Sequence, residues 1–423
     1  MSGLDTTNEE RPLRLLGTRG SAEAYALRDF LHRSDVPFEW IELHTDEQAR
    51  ELAQVSNLED SRLPVCFFPD GTRQECPTIR QIAEKLGWFR KPSRTEYDLA
   101  ILGAGPAGLS AAVYGASEGL KTLLIERSTV GGQAGTSSKI ENYLGFPQGI
   151  SGAELAKRAR EQATRFGAEI LLLREGVRAE FLPGKAIGHL SDRTSFVMYS
   201  AIFASGVEYR RLNLRNEDCL RGAGVYYGAG SSEAELCRNQ QVFVVGGGNS
   251  AGQAAMHFSR FAQKVFIVIR GNGLKQTLSQ YLIDRILAAP PIEVLPHTEV
   301  IELHGTKQLE AITLLDNQTG QERTVETCWL FLCLGGIPNT GWAGEAGIVR
   351  DEQGYLVTGP DLRKHDAFAK KWPLDREPYY LETSRPGMFA AGDVRHGSVK
   401  RCASAVGEGA MAVTFAHRYL ANR

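Results

Sequence analysis

The feature that most constrains this chain is a glycine-rich loop between a short apolar segment and a helix. Tyr97 to Leu102 has the composition of a buried strand, Gly103-Ala104-Gly105-Pro106-Ala107-Gly108 follows it, and Leu109 to Ser117 is helical. In such a loop the first glycine permits a tight turn, the second lets a pyrophosphate approach the backbone, and the third lets helix and strand pack closely. The pattern predicts a dinucleotide-binding βαβ unit. The alternative is a glycine turn in an unrelated α/β domain.

An acidic residue at the end of the next strand supports this prediction. Thr122 to Ile125 is the strand, and Glu126 follows it, roughly 20 positions beyond the loop, where a carboxylate can accept hydrogen bonds from a ribose. The helix N-terminus adds backbone N–H groups that favour phosphate. The expected binding residues here are Gly103, Gly105, Pro106, Ala107, Gly108 and Glu126.

A second loop of the same kind follows the apolar strand Val242 to Val245. It leads into a helix from Ala254 onward, and it has alanine in its third small position, which the fingerprint allows. The next strand, Val265 to Ile269, ends in Arg270. An arginine accepts a 2′-phosphate that a carboxylate would repel, so NADPH is favoured, with NADH and a merely solvated arginine as the alternatives. The expected nucleotide-binding residues are Gly246, Gly248, Asn249, Ser250, Ala251 and Arg270.

Further motifs, in the same order along the chain, resemble those of thioredoxin reductases. Gly131-Gly132-Gln133 and Ile140 to Pro147 are similar to the segment that lines the flavin in that family, and Gly387 to Val394 is similar to its second FAD signature. Ala204-Ser205-Gly206 and Ile337 to Thr340 match its crossover motifs between two domains. The resemblance covers about residues 95 to 423.

The resemblance implies that the first loop binds FAD. By this resemblance Asp393 holds the ribityl chain, while Gln133 and Asn142 line the isoalloxazine region. The other FAD-binding residues that it implies are Gly132, Thr136, Ala204, Gly392, Arg401, Cys402 and Ala403.

The resemblance also implies an α/β architecture of two Rossmann-like domains. One is an FAD-binding domain made of residues 95–211 and 333–423, and the other is an NAD(P)H-binding domain inserted at 212–332, with hinges near 210 and 332. Members of the family form homodimers and work by rotating one domain against the other.

Residues 1–90 are expected to form a separate domain. Segments of strand and helix composition alternate there in the order β-α-β-α-β-β-α, and Pro64 opens the third strand, where thioredoxin folds carry a cis proline. This part resembles the glutaredoxin and thioredoxin family, but Thr18 to Glu23, where the catalytic cysteines would lie, has no thiol. Cys66 is interpreted as a buried apolar residue. We expect this domain to dock a partner or an electron-acceptor protein.

Thioredoxin reductases carry a C-x-x-C pair just before the second glycine loop, and this chain has none. By the resemblance, Gly228 and Ser231 occupy the two cysteine positions, and neither can form a thiolate nucleophile. Cys219 and Cys237 flank this stretch but are too far apart in sequence to replace the pair. Ordinary thioredoxin reduction is therefore not expected.

Two residues are candidates for chemistry beside the flavin. Cys402 aligns with the family segment whose helix start faces the flavin ring, and a helix N-terminus would lower its pKa if the side chain points inward. His396 could deliver a proton to this region. The alternatives are that Cys402 contributes only a backbone N–H and that His396 is a surface histidine.

Composition excludes several other classes. The net charge of −2 gives no electrostatic reason to expect nucleic acid or an anionic membrane. The longest uncharged run, Leu99 to Ser117, is interrupted by glycines and a proline, and the N-terminus shows no secretory signal, so no membrane contact is expected. The 7 cysteines lack zinc or disulfide spacing, which predicts no metal site and reduced thiols in the cytoplasm.

The leading hypothesis is an NAD(P)H-dependent flavoprotein oxidoreductase whose reduced FAD passes electrons to an acceptor without a C-x-x-C. A quinone, a dye-like molecule, oxygen or a one-electron carrier protein would fit. Ferredoxin–NADP reductases that resemble thioredoxin reductase also lack the cysteine pair, so that activity is one alternative. A flavin-based redox sensor is another, and disulfide chemistry through Cys402 or Cys66 is the third.

Overall fold

Five sheets organise the part of the chain that the structure describes. This computed structural model describes residues 12–89, 91–228, 233–276, 278–365, 368 and 372–422. A four-stranded sheet comes first along the chain, a seven-stranded and a five-stranded sheet follow, and sheets of two and three strands complete the set.

The N-terminal unit is a mixed sheet with order β2-β1-β3-β4. Its elements are β1 Leu13–Gly17, α1 Ala22–Arg33, β2 Phe38–Glu42, α2 Asp46–Leu52, β3 Val65–Phe67, β4 Arg73–Glu75 and α3 Ile79–Lys85. This is the predicted order of elements, and the Leu63–Pro64 peptide before β3 is cis. Each helix begins after a Ser or Thr whose hydroxyl accepts a backbone N–H of the first turn, which is why the chain turns helical there.

The first glycine loop belongs to the seven-stranded sheet. The first elements of this unit are β5 Glu96–Leu102, α4 Pro106–Ser117, β6 Thr122–Ile125, α5 Gly152–Arg165, β7 Glu169–Leu171, β8 Gly176–Leu182, β9 Lys185–Leu190 and β10 Ser195–Phe203. The strands β7, β6, β5 and β10 are parallel neighbours, and β9 and β8 add an antiparallel meander at one edge. The helix α4 begins at Pro106, earlier than predicted, because Gly105 is its N-cap.

The second glycine loop belongs to a parallel five-stranded sheet. The elements from the first crossover onward are β11 Val207–Tyr209, α6 Glu217–Leu220, β12 Val225–Tyr227, β13 Gln241–Val245, α7 Asn249–Phe258, β14 Lys264–Val268, α8 Gln280–Leu287, β15 Ile292–Leu295, β16 Thr298–His304, β17 Ala311–Asp316, β18 Glu322–Glu326 and β19 Leu330–Leu332. The sheet order is β12-β19-β13-β14-β15, while β16, β17 and β18 form the three-stranded sheet. The helix α7 begins at Asn249 rather than Ala254 because Gly248 caps it.

The chain returns to the seven-stranded sheet beside the point at which it left. The returning elements are β20 Gly336–Pro338, α9 Gly341–Glu345, β21 Met388–Ala390 and α10 Cys402–Ala421. The crossover strands β11 and β20 pair in antiparallel fashion, with Val207 opposite Pro338, and β21 then pairs in parallel with β10. Short 3-10 helices complete the described part at Ala134–Thr136, Ala234–Cys237, Leu274–Gln276 and Gly359–Lys364.

Close packing of small residues fixes the last helix against the first loop. A Cβ added at Gly409 of α10 would lie 2.1 Å from the carbonyl oxygen of Ala107 in α4, so only glycine permits this approach. The core between these helices is correspondingly rich in alanine, including Ala111, Ala112 and Ala412. This packing aims the N-terminal end of α10 at the first glycine loop.

The helix α1 connects the N-terminal unit to both larger sheets. On one side Arg28 forms a buried ion pair with Glu233, and the ring of Tyr25 packs at 5.0 Å on that of Tyr226. At the other end Arg33 donates to the carbonyl oxygen of Gly132, 3.4 Å away. The N-terminal unit therefore contacts the glycine-loop regions of both sheets rather than hanging from a linker.

Candidate functional site

The glycines of the first loop have three different surroundings. A Cβ on Gly103, whose φ is +105°, would lie 2.4 Å from the carbonyl oxygen of Ala204, and one on Gly108 would lie 1.8 Å from the carbonyl oxygen of Gly103. A Cβ on Gly105 would meet only the Cα of Gly132, at 3.9 Å. The first and third glycines thus serve packing, and the second leaves the N-terminus of α4 open to a ligand.

The Glu126 carboxylate is held beside this opening by two backbone donors. It accepts hydrogen bonds from the N–H of Ala104 and from the N–H of Ser128, each 2.8 Å away. Burial raises the pKa of this carboxyl above its ordinary value, and the two backbone donors oppose that rise. Each oxygen retains a further lone pair, so the carboxylate can still accept hydrogen bonds from ribose hydroxyls.

The glycines of the second loop also divide into one that packs against backbone and one that faces open space. A Cβ on Gly246, whose φ is +140°, would lie 2.4 Å from the carbonyl oxygen of Cys333, whereas one on Gly248 would meet no atom within 4 Å. Ala251 is fully buried against the sheet. The side chain of Asn249 accepts the backbone N–H of Ser279 at 2.8 Å, which fixes the loop against the segment before α8.

Both loops open onto one cavity of about 790 Å³. This volume is within the range of small-molecule and cofactor sites. Of the residues expected to bind cofactors, those that line the cavity are Gly103, Gly105, Pro106, Ala107, Glu126, Gly132, Gln133, Thr136, Asn142, Ala204, Asn249, Ser250, Gly392, Asp393, Arg401 and Cys402. Two ligands bound at the two loops would therefore meet inside one enclosure.

The remaining expected residues do not line the cavity. Gly108, Gly246 and Ala251 lie beneath the loops as packing residues, and Gly248 caps α7 in open space. Ala403 is exposed, one residue beyond the start of α10. Arg270 is exposed just after the end of β14, and its carbonyl oxygen accepts from the Asn317 side chain at 3.1 Å.

A tyrosine fills the space beside the position where the resemblance places a cysteine. A Cβ on Gly228, whose φ is +87°, would lie 2.5 Å from the Tyr209 hydroxyl oxygen, which is itself 3.3 Å from the Thr136 hydroxyl. A side chain at Gly228 would thus require both a strained backbone and a displaced tyrosine. Ser231, the second position, lies outside the described residues.

The far wall of the cavity carries the second predicted FAD signature. Burial raises the pKa of the Asp393 carboxyl, while the nearby Lys400 ammonium lowers it. The Gly392 N–H donates to Glu408 at 2.7 Å, and Glu408 also pairs with Arg395 at 2.5 Å, so α10 holds the turn that presents Asp393.

The structure treats the two candidates for further chemistry differently. Cys402 lines the cavity at the first turn of α10, but burial raises its pKa to about 11, so the prediction of a lowered pKa is wrong. Desolvation of the charge is the larger cause of this rise, and the nearby Asp393 carboxylate adds to it. His396 pairs through Nδ1 with Asp351 at 2.7 Å and is not among the cavity-lining residues, so it does not adjoin the predicted flavin position.

Two further thiols outside the cavity lining also have raised pKa values. Burial raises the pKa of Cys66 and of Cys333 to about 12. The Cys333 thiol donates to the carbonyl oxygen of Gly228 at 3.6 Å. Among the described residues every cysteine is free, and no group of three His, Cys, Asp or Glu side chains is placed to hold a metal. In the same ranges no helix is both long and apolar enough to cross a membrane.

Sequence reasoning missed several residues that line the cavity. Tyr209, Gln253 and Trp342 lie two or three residues beyond recognised motifs, and Tyr227 adjoins Gly228. Tyr209 could have been suspected because it follows the crossover motif at Ala204-Ser205-Gly206. Arg33 comes from the N-terminal unit, and no local pattern connects it with a nucleotide site.

Comparison with known proteins agrees with this geometry. Residues 97–409 match the profile of the family described as pyridine nucleotide-disulphide oxidoreductase. The chain belongs to this family. It is 33% identical to thioredoxin reductase of Treponema pallidum over 329 residues, which is 77% of this chain and 98% of that protein. It is 35% identical to thioredoxin reductase of Streptomyces clavuligerus over 329 residues, 77% of this chain and 94% of the relative.

Solved structures show the same fold for the matched part. The Lactococcus lactis thioredoxin reductase in its FR conformation superposes with a TM-score of 0.69 at 29% identity, covering 77% of this chain and 100% of that one. The T. acidophilum thioredoxin reductase gives 0.68 at 29% identity, covering 77% and 99%. This chain therefore has a thioredoxin reductase-type α/β fold with Rossmann-like sheets, and it is an NAD(P)H-dependent flavoprotein oxidoreductase.

Proposed function

We propose that this chain oxidises NADPH through bound FAD and passes the electrons to an acceptor other than a disulfide in a C-x-x-C pair. The observation that carries the proposal is the single cavity onto which both glycine loops open. Bound FAD would supply the hydride acceptor that no amino-acid side chain can provide. The role of the chain itself is then to place two nucleotides and to exclude other redox groups.

The residues around the first loop fit FAD. The open face at Gly105 suits the diphosphate, and the buried Glu126 carboxylate suits the adenosine ribose. Asp393 suits the ribityl chain, and Gln133 and Asn142 suit the ring region because they line the same cavity. Gln133 is held in place because its side-chain amide donates to the carbonyl oxygen of Val207 at 2.7 Å.

The residues around the second loop fit the nicotinamide nucleotide. Gly248 leaves the N-terminus of α7 open for a diphosphate, and Asn249 and Ser250 extend that loop into the cavity. The exposed Arg270 after β14 is available to a 2′-phosphate. An Arg270→Ala variant should raise the KM for NADPH about tenfold and leave that for NADH unchanged, the loss expected for one charge-assisted hydrogen bond. Equal effects on both nucleotides would refute this assignment.

The thiols argue against disulfide chemistry at this site. Gly228 has no room for a side chain beside Tyr209, and the raised pKa values of Cys402 and Cys333 leave little thiolate at neutral pH. Thiol–disulfide exchange needs that thiolate as its nucleophile. A quinone, a dye-like molecule, oxygen or a one-electron carrier is the acceptor class that remains.

The separate sheets support an organisation of the chain into three domains. We assign residues 1–90 to a thioredoxin-like domain, 95–211 and 333–423 to the FAD-binding domain, and 212–332 to the NAD(P)H-binding domain. The antiparallel pairing of β11 with β20 supports hinges near 210 and 332, because both crossings of the chain meet there. A homodimer in the cytoplasm is proposed on the likeness to thioredoxin reductases.

Rapid mixing with NADPH tests the proposed function. The purified protein should be yellow, its flavin absorbance should bleach on mixing, and a quinone or dye acceptor should restore the colour with steady NADPH consumption. Replacement of Cys402 and Cys66 by serine should leave that turnover unchanged. Turnover with a disulfide substrate that is lost in the serine variants would overturn the proposal.

A flavin-based sensor is the second candidate. It is favoured by the N-terminal unit, which contacts both larger sheets through α1 and could report their arrangement. Bleaching by NADPH that is slow, together with no turnover in any acceptor screen, would select the sensor over the enzyme.

A further inference from the structure

One arginine of the N-terminal unit reaches into the cavity between the glycine loops. Arg33 is the last residue of α1, its side chain is 19% exposed, and it lines the cavity together with Gly105 and Glu126. The family match begins at residue 97, so this arginine belongs to a part of the chain outside that match.

Its position lies one contact away from the opening for a diphosphate. The Nη2 of Arg33 donates to the carbonyl oxygen of Gly132 at 3.4 Å. A Cβ on Gly132 would lie 3.1 Å from the Cα of Gly105, so the two glycine backbones touch. Gly105 is the N-cap of α4, where the backbone faces the cavity. The guanidinium is thus placed beside the point at which the fingerprint holds a diphosphate.

The donors of this guanidinium are only partly used. Its Nη1 contacts a carboxylate oxygen of Asp29 at 3.4 Å, which is long for a charge-assisted hydrogen bond, and its Nε is buried without a hydrogen-bond partner. A buried N–H of a charged group destabilises the protein when no acceptor forms a hydrogen bond with it. Each Nη atom also carries a second N–H that these contacts do not use, and an anion in the cavity would accept from these groups.

Five other arginines line the cavity, and three of them form close ion pairs. Arg127 pairs with Glu208, Arg174 with Asp192, and Arg211 with Asp218, each at 2.5 Å. Arg221 lies over the Tyr227 ring, and Arg401 donates to the carbonyl oxygen of Lys400. Arg33 differs because it comes from the N-terminal unit and lies beside Gly132, and its ion pair with Asp29 is loose. Arginine also suits phosphate binding because its planar fork matches phosphate oxygens in a bidentate geometry.

We propose that Arg33 binds the diphosphate of FAD, so that the N-terminal unit completes the flavin site. The inference rests on the proposed function, because it requires FAD in the first loop. It gives the N-terminal unit, which lacks the catalytic cysteines of thioredoxins, a direct role, since one of its side chains would be a ligand of the cofactor. The site would then be incomplete in a chain that lacked this unit.

The test measures FAD affinity rather than turnover. Apoprotein of the full chain is titrated with FAD, and binding is followed by the quenching of flavin fluorescence. Arg33→Met should raise the Kd about 10- to 100-fold, the effect of one or two charge-assisted hydrogen bonds, and Arg33→Lys should recover part of the loss. The difference between wild type and Arg33→Met should shrink as salt is raised.

The matched control is Lys157→Met. Lys157 pairs with Asp35 at 2.5 Å and so joins the same two units, but it is not among the residues that line the cavity. An FAD affinity within about threefold of wild type is expected for it, since an exposed pair contributes little. If Lys157→Met weakens FAD binding as much as Arg33→Met does, the cause is looser docking of the N-terminal unit, and the inference is wrong.

The outcomes separate this inference from the function on which it rests. If wild-type apoprotein takes up no FAD, the proposed function fails. If the wild type binds FAD and Arg33→Met binds it equally well, with the same salt dependence, the function stands and the role of Arg33 is refuted. Matching far-ultraviolet circular dichroism of the apoproteins shows that the variants have folded.

Discussion

The buried ion pair between Arg28 and Glu233 gives the sharpest prediction about how the N-terminal unit is held. The two side chains are 3% and 0% exposed, with Nη2 of the arginine 3.4 Å from Oε1 of the glutamate. The guanidinium also lies 4.6 Å from the centre of the Trp40 ring, within its own unit. This arginine joins α1 to the segment just before the second glycine loop.

Replacing Arg28 by methionine keeps most of the apolar stem and removes the charge opposite a buried carboxylate. Removal of one partner from a buried pair costs about 3–5 kcal/mol, because the remaining charge loses its compensation. At about 1.4 kcal/mol for each factor of ten, docking of α1 should weaken by roughly two to four orders of magnitude. The loss of stability should be confined to the contacts that hold the N-terminal unit against the larger sheets.

Hydrogen exchange of the α1 amides in the full-length protein measures this loss. Exchange that requires undocking should accelerate in Arg28→Met, while amides of the central strands should be unaffected. The double variant Arg28→Met with Glu233→Gln should regain much of the protection, since it also removes the buried carboxylate charge that Arg28 opposes. Lys307→Met is the control, because it removes an exposed pair with Glu59 at the same boundary and should change little.

Two results would refute this reasoning. One is α1 exchange in Arg28→Met that equals that of the wild type, which would mean that the ion pair contributes nothing to docking. The other is a double variant whose α1 amides are no better protected than those of Arg28→Met, which would mean that the buried Glu233 charge is not the cause of the lost protection.

Three further predictions concern the cavity. Gly105→Ala should weaken FAD binding at least tenfold with little change in stability, because its Cβ would meet only the Cα of Gly132, at 3.9 Å. Gly108→Ala should instead lower the melting temperature of the apoprotein, because its Cβ would lie 1.8 Å from the carbonyl oxygen of Gly103. Calorimetry and FAD titration of both variants compare the two effects. Gly228→Cys should not create disulfide reductase activity and should reduce stability, because a Cβ there would lie 2.5 Å from a tyrosine hydroxyl; activity with a disulfide would contradict this. Since its pKa is raised to about 11, Cys402 should be alkylated slowly near pH 8, with a rate that increases about tenfold per pH unit toward pH 11, as followed by peptide mass mapping; rapid alkylation at pH 7 would show a thiolate instead.

These thiol properties bear on the choice of acceptor. The family is described by its disulfide chemistry, but in this chain burial raises the pKa of Cys402, which lines the cavity, and of Cys333, which donates to the carbonyl oxygen of Gly228. The tyrosine hydroxyl beside Gly228 fills space that a reacting thiol would need. Electrons that leave reduced flavin in this cavity would therefore pass directly to a diffusing or docked acceptor.

The relative placement of the larger units is also held by specific contacts. Arg285 of α8 pairs with Glu141 of the segment after the first glycine loop at 2.5 Å, which joins the two nucleotide-binding regions directly. The contacts of α1 add a second connection between them. A rotation of one domain against the other would have to break both sets, and the buried pair of α1 is the costlier one.

Local sterics explain the parts of this protein that could be predicted from its sequence. Gly103 and Gly108 are required where the backbone turns with positive φ or approaches another backbone, and such needs are visible in a six-residue motif. The helix starts after Ser21 and Thr45 are equally local, because a hydroxyl and a nearby N–H decide them. The order of elements and both nucleotide loops were therefore predictable.

The pKa values and the long-range contacts of this protein depend on burial and on residues that are remote in sequence, so they could be read only from the folded structure. The pKa of Cys402 has the opposite direction to its prediction because desolvation is set by the packed cavity, and His396 is held by Asp351, 45 positions away in sequence. The positions of Arg28 beside Glu233 and of Arg33 beside Gly132 have no local signature. Contacts between distant segments form only when sheets and helices pack, so a linear pattern carries no record of them.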